Sequence, residues 1–450
     1  MSGGNKQIVD ERVHLLPRNE DYAEFNNCSG ASFHASVFNL SCTIVGAGIM
    51  SLPATLKVLG LVPGIVLIIF AAFLTEASVE MLLRFSKPGS AFTYGDVMGD
   101  AFGMFGKMLL QTTIVINNIG AVIIYLIIID VTVTSRVSFF LFLSYAPPED
   151  LLSGATSIGV HHKGVLEEWF GEHWWTGRAF VLIALTVIVF FPLMCFKRIE
   201  SLKYTSAISF ALVVVFLVVV IGITMYKLAE GSIETPRLFP NVTDLTSFCN
   251  LFTAAPPVVC AYVCHFNGCF GFLLFGDSTI SDVLSNFDSN IGIPYGFVIN
   301  DIVRVCYACH IILIFPIIFY PLRLNLDGLL FPSAMPLASD NQRFAFISAL
   351  LTVIVLLGAI FIPSIWVAFQ FCGATVGILL GFVFPASITL NTAYFRLTKR
   401  FKSNPWLEKD EIAEFLNVLF IRVFTMIKSE LQVLPSLSEP KSGSFEHRCR

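Results

Sequence analysis

The stretch Val37–Leu59, VFNLSCTIVGAGIMSLPATLKVL, decides how this 450-residue chain is read. It is long enough to cross a bilayer, for which about 20 apolar residues suffice. Yet it carries Asn39, Ser41, Thr43, Gly46, Gly48 and Pro53, for which an uninterrupted apolar helix has no use. Lipid cannot satisfy free N–H and C=O groups, so irregular backbone at that depth survives only where it lines a cavity or is buried in protein. Gly46-Ala47-Gly48 would also let a neighbouring helix pack close, but such a contact needs no row of polar groups beside it. An interrupted helix followed by many further spans points to a solute site near the midplane of a transport protein.

Composition supports the same class. Apolar residues make up 55% of the chain and charged residues 13%, with a mean hydropathy of +0.77, a balance that no soluble domain of this size tolerates. The expected fold is therefore an all-α polytopic membrane protein. Most of the 11 cysteines, among them Cys42, Cys195, Cys260, Cys306 and Cys372, lie inside apolar runs and read as small buried hydrophobes rather than as a disulfide framework. Residues 1–34 are polar, with no apolar core of a cleavable signal, and read as a disordered cytoplasmic tail. Within them Glu11, Leu15 and Leu16 form an acidic dileucine pattern of the kind that sorts proteins to internal membranes.

Further apolar runs follow at Pro63–Phe85, Lys107–Val133, Ala179–Phe196, Tyr204–Tyr226, Leu245–Asn267, Tyr295–Tyr320, Phe344–Ile362 and Trp366–Leu390. With the first, they make nine clear spans. Glu76, Glu80 and Arg84 share one face of the second; Glu80 and Arg84 read as an i,i+4 pair. Two readings stand for the deeper Glu76, a proton-coupling carboxylate or one that faces a wet cavity. The long loop Arg136–Gly177 holds His161, His162 and His173 without ligand spacing, so no metal is expected. Asn241-Val242-Thr243 is a glycosylation sequon on the side of that acidic loop. Arg84, Lys87 and Lys107, then Lys197, Arg198 and Lys203, crowd the opposite side, which makes that side and the N-terminus cytoplasmic. The sixth span is broken too, by Pro256-Pro257 ahead of Ala261-Tyr262-Val263-Cys264-His265. Interrupted segments at corresponding places in two groups of five suggest an inverted repeat. The string Cys306-Tyr307-Ala308-Cys309-His310 has the form of a haem attachment site, but it lies within an apolar helix where haem would have to face lipid. No nucleophile, base and orienting group occur together, so no enzyme is expected, and neither a cofactor nor a nucleic-acid partner.

Taken together, FNLSCTIVGAGIMSLP, TEASVEMLLRFS, AYVCHFN, GFLLFGD, SDVLSNFD, FPIIFYPLR, NLDGLLFP and FIPSIWVAFQFCGAT resemble the amino acid/auxin permease family. The likeness is strongest to its plant vacuolar amino acid transporters, relatives of the sodium-coupled neutral amino acid transporters, and runs from Ser36 to Ile388. It implies an eleven-helix fold of the leucine-transporter type and secondary active transport of neutral amino acids across a vacuolar or other internal membrane. It also implies substrate held at the unwound parts of helices one and six. By position, the substrate's backbone would lie against Thr43, Val45, Gly46, Ala47 and Gly48, with Ala261, Tyr262 and Cys264 opposite. Free amides at such a break bind a carboxylate, and free carbonyls accept an ammonium. In this fold sodium takes hydroxyls from helix eight, and Tyr295–Tyr320 has no Ser or Thr, so protons are the expected coupling ion rather than sodium. Glu76 and His310 are the candidates to carry them.

The resemblance also exposes two losses. After AYVCHFN the chain passes directly through Gly268-Cys269-Phe270 into GFLLFGD, without most of helix seven, and after Pro385-Ala386-Ser387 helix eleven is missing as well. The domains expected are thus a first repeat at 35–227, an incomplete second repeat at 245–393, and a tail at 394–450. That tail is basic at Arg396, Lys399, Arg400 and Lys402, with an interfacial amphipathic stretch at Glu411–Val433. Leu245–Phe275 cannot cross twice, since two crossings need about 40 residues. Either every later span inverts, against the charge rule, or this segment is a re-entrant hairpin in an under-packed core. The charges favour the hairpin, with transport weakened or lost; a non-transporting membrane partner that binds amino acid is the rival reading. Protease protection of a C-terminal tag, read against glycosylation at Asn241, should place the two on opposite faces of the membrane; the same face would mean an inverted second half.

Overall fold

The computed structural model describes residues 39, 46–85, 93–133, 171, 173, 175, 178–195, 203–233, 236–240, 251–254, 257–258, 265–288, 291–332, 334–362 and 364–392. Among these residues every regular element is helical. In order they are α1 (Gly48–Leu59), α2 (Leu61–Phe85), α3 (Tyr94–Val133) and α4 (Arg178–Leu185), which passes through a π-helical turn, Thr186–Phe190, into α5 (Phe191–Met194). Next come α6 (Lys203–Glu230), α7 (His265–Phe275), α8 (Gly296–Leu330), α9 (Asn341–Phe361) and α10 (Ile365–Phe371). The last runs on through two π-helical stretches to Thr392.

Among the described residues, six helices are long and apolar enough to cross a membrane: Leu61–Leu83, Tyr94–Val133, Tyr204–Glu230, Gly296–Leu330, Asn341–Phe361 and Ile365–Thr392. The protein is an all-α polytopic membrane protein. The other three expected spans differ. Gly48–Leu59 and Phe180–Met194 are shorter apolar helices, and most of Leu245–Asn267 lies outside the described residues, as do the dileucine pattern, the sequon and the C-terminal tail. The third span starts earlier than expected, at Tyr94, and bends at Gly103, whose φ of 69° no helix can carry. Thr93 and Asp96 cap that start reciprocally, with Thr93 Oγ1 donating to Asp96 at 2.7 Å and accepting from the Asp96 amide at 3.2 Å. Lys107 closes the bend on Asp96 at 2.9 Å.

Burial separates a centre from a rim. Every residue from Val122 to Thr132 of α3 is buried, the mark of a helix that is apolar all round and enclosed by others. In α8, 67% of the apolar window is buried, against 22% for α2 and α9. α8 packs along both α3 and α6, and Phe315 stacks on Phe190 at 4.1 Å between ring centroids. The rim shows Val66, Phe70, Phe105, Ile188, Phe346 and Phe361 outward, a surface suited to acyl chains and not to water.

Side-chain contacts assign the helix ends. At one end, Arg304 near the start of α8 reaches the Thr132 carbonyl at the end of α3 at 3.5 Å. At the other, Arg323 near the end of α8 donates to the Met194 carbonyl at 3.0 Å, its guanidinium 4.0 Å over Phe344 of α9. α8 therefore runs antiparallel to α3. The C-terminal ends of α1, α6 and α7 also meet: Lys57 donates to the Thr279 carbonyl at 3.0 Å, and Arg237 pairs with Asp277 at 2.7 Å. α7 has 11 residues, about 16 Å of helix, roughly half a hydrocarbon core. The 236–240 segment and Asp277 thus lie at the same end of the bundle.

Gly60 holds α1, α2 and the 236–240 segment together. The first amides of α2, Leu61 and Val62, donate to the carbonyls of Arg237 and Leu238 at 3.0 Å each, so the helix start is satisfied by a neighbouring loop. This approach puts a Cβ built on Gly60, whose φ is 78°, only 2.7 Å from the Phe239 backbone. Gly60→Ala should lower stability by about 2–4 kcal/mol through strain and overpacking. Gly222→Ala, on α6 with nothing within 4 Å, should change it by under about 0.5 kcal/mol. Thermal unfolding of the two detergent-solubilised variants checks the difference.

Candidate functional site

The broken first span meets the buried face of α8. Gly46 and Ala47 form a turn, α1 begins at Gly48, and every residue from Gly46 to Leu56 is buried. Pro53 inside α1 has no N–H for the Ile49 carbonyl, so the helix is loosened beyond its first turn as well. Ser51 and Thr55 return their hydroxyls to the carbonyls of Gly48 and Ser51, at 3.2 and 2.9 Å. The Gly46 carbonyl, outside the helix, accepts the Tyr307 hydroxyl of α8 at 2.9 Å.

Two glycines let α7 lie against α1. A Cβ on Gly268 would come within 2.6 Å of Leu52 Cβ, and one on Gly271 within 2.8 Å of Pro53. These are approaches that only small residues allow. Gly271 and Pro53 line a small apolar cavity with Ile49, Phe216, Val220, Val283 and Phe287, roomy enough for little more than one water molecule.

Beside Tyr307 lies a second polar constellation. His310 is fully buried; its Nδ1 faces the Ser209 hydroxyl at 2.8 Å and the Ser209 carbonyl at 2.9 Å, while Ser209 Oγ lies 3.1 Å from the His310 carbonyl. Because a carbonyl only accepts, Nδ1 carries a proton in this arrangement. Nε2 is buried with no hydrogen-bond partner among the described residues. One turn before Ser209, Ser206 donates to Asn39 of the first span. α6 thereby touches both the interrupted span and α8 through serines.

The structure brings together part of the expected set. Gly46, Ala47 and Gly48 are at the break, and His310 is one turn along α8 from the Tyr307 that reaches it. Thr43, Val45, Ala261, Tyr262 and Cys264 lie outside the described residues, as does Asn241. Glu76 is exposed on α2, on the lipid-facing rim and away from the buried polar groups. In the string that resembles a haem attachment, Cys306 and Cys309 are free, partly buried thiols, and the imidazole is engaged by Ser209. No cluster of three metal-ligating side chains occurs among the described residues. The sequence reading missed Tyr307, Ser206 and Ser209. A signal existed for the first: Arg304, Tyr307 and His310 recur every three residues and share a buried face.

A buried turn ahead of α1 whose carbonyl is met by a buried side chain of α8, inside a bundle with an apolar rim, fits a membrane transporter. The family model described as transmembrane amino acid transporter protein matches residues 29–267 and 266–430, and the chain belongs to that family. The two matches meet at Asn267, where the sequence places the loss of helix seven; the second continues to residue 430, past Ser387, and so includes most of the stretch read as an interfacial helix. Amino acid transporter AVT6A of Arabidopsis thaliana is 50% identical over 424 residues, covering 87% of this chain and 88% of its own length. Amino acid transporter AVT6B of the same plant is 50% identical over 434 residues, covering 88% and 90%. Sodium-coupled neutral amino acid symporter 2 of Danio rerio is 26% identical over 443 residues, covering 86% and 79%. The 424-residue match is longer than the share of this chain within it, so the relative has residues for which this chain has no counterpart. The protein is of the amino acid transport class and not an enzyme.

Proposed function

We propose that this chain binds the α-amino and α-carboxyl groups of a neutral amino acid at the interruption around Thr43–Gly48, with Ala261, Tyr262 and Cys264 opposite, and carries it across an internal membrane in exchange or symport with protons. The observation that supports this reading most directly is the turn at Gly46–Ala47, buried beside Tyr307 of α8 and followed by the first amides of α1. Such amides draw a carboxylate, and the carbonyl ahead of them suits an ammonium. The apolar lining of the adjoining cavity favours an uncharged side chain. A vacuolar or other endomembrane site rests on the likeness to the plant transporters and on Glu11, Leu15 and Leu16. Sequon use at Asn241 and a cytoplasmic N-terminus belong to the same reading.

For coupling, the buried Nε2 of His310 is the better proton acceptor, because Glu76 faces outward on α2. A sealed, serine-held imidazole can present a proton to one side at a time. Sodium would want hard oxygen ligands that α8 does not supply on this face.

One observation favours the rival reading, a membrane partner that binds amino acid without moving it. α7 offers 11 residues where the family has a full helix, so the two halves have one less rigid element to rock against each other. The full chain in proteoliposomes separates the two. Counterflow of a labelled neutral amino acid such as alanine is expected, driven to accumulation by a pH step; His310→Gln should keep counterflow and lose the pH-driven component. Accumulation that survives His310→Gln would overturn the coupling assignment, and saturable binding without counterflow would favour the partner.

A further inference from the structure

Tyr307 occupies the acceptor that the proposed substrate needs. Its hydroxyl donates to the Gly46 carbonyl at 2.9 Å, and its ring is fully buried, held by Phe216 of α6 at 4.9 Å and by His310 at 5.5 Å between centroids. An α8 side chain thereby satisfies a carbonyl that lies outside α1, ahead of its first turn. A carbonyl at a helix break, deep in a bundle, must have a partner; lipid and apolar side chains provide none.

We propose that Tyr307 is the internal stand-in for the substrate's ammonium, a gating residue that closes the site by bonding Gly46 and opens it by releasing that bond. This rests on the reading of Gly46 as part of the substrate site. The exchange is chemically one-sided: an ammonium makes a charge-assisted hydrogen bond, roughly twice as strong as that from a neutral phenol, so substrate can displace the hydroxyl while solvent-free hydrocarbon cannot. The displaced hydroxyl must then be received elsewhere, and its release frees the face of α8 that also carries His310. Site occupancy and the setting of α8 are thus linked through one side chain. The competition also weakens binding, because each substrate molecule must first break an existing bond.

The sign of the effect of Tyr307→Phe separates this role from a merely structural one. The ring, with its packing against Phe216, is kept, while the competitor for Gly46 is removed. Purified full chain in lipid nanodiscs is screened by thermal shift against the twenty proteinogenic L-amino acids, and equilibrium binding of those that shift it is then measured for wild type and Tyr307→Phe. Tyr307→Phe should be less stable without ligand and bind about threefold to tenfold more tightly, the range of one neutral hydrogen bond. Binding detectable only in Tyr307→Phe would support the gate as well. Unchanged or weaker binding by a folded Tyr307→Phe, with wild type binding normally, would overturn the gate and leave the transporter reading standing. No binding of any amino acid by either protein, with both folded by thermal unfolding, would sink the substrate site itself and the gate with it.

Discussion

Hydrocarbon accepts no hydrogen bonds, and that constraint organises this molecule. Each crossing must satisfy its own backbone, and any interruption must find its partners inside the protein. α1 begins only at Gly48, after the buried turn at Gly46–Ala47, so the Gly46 carbonyl needs a buried polar partner, and α8 supplies one in Tyr307. The demand for a satisfied carbonyl explains why a tyrosine is buried in the centre of an apolar bundle. It also explains why α8, pressed between α3 and α6, is the most enclosed of the spanning helices.

The same constraint shapes the shortened second half. α7 is too short to cross, and by its C-terminal end the chain is back beside the 236–240 segment; the helix lies along α1 through Gly268 and Gly271. Arg237–Asp277 and Lys57–Thr279 pin that return, while at the far end Arg323 and the Asp327–Arg343 pair, 3.0 Å apart, tie α8 to α5 and α9.

Much of this was legible in the sequence. The polar residues within Val37–Leu59 pointed to a break, and α1 begins only at Gly48, after the turn at Gly46–Ala47; most of Leu245–Asn267, which length bars from crossing twice with α7, lies outside the described residues. The packing partners were less legible. Ser209 and His310 lie 101 residues apart, and no periodicity within either helix names the other. Tyr307 sat in a string whose cysteines and histidine suggested haem, which hid the three-residue spacing that places Arg304, Tyr307 and His310 on one face. Glu76 stood out as an intramembrane carboxylate, but which face of α2 meets the bundle depends on tertiary contacts, and the carboxylate is on the outer one.

The most direct test of the account is substrate protection at the break. In a variant with the native cysteines replaced and Ala47→Cys introduced, the rate of labelling by a membrane-permeant maleimide is measured with and without amino acid. The account expects at least one amino acid to slow labelling in a saturable way, with no change at a cysteine placed on the rim at Phe346. Labelling of Ala47→Cys that no amino acid alters, in protein shown to be folded, would contradict the placing of the substrate at the interruption of the first span.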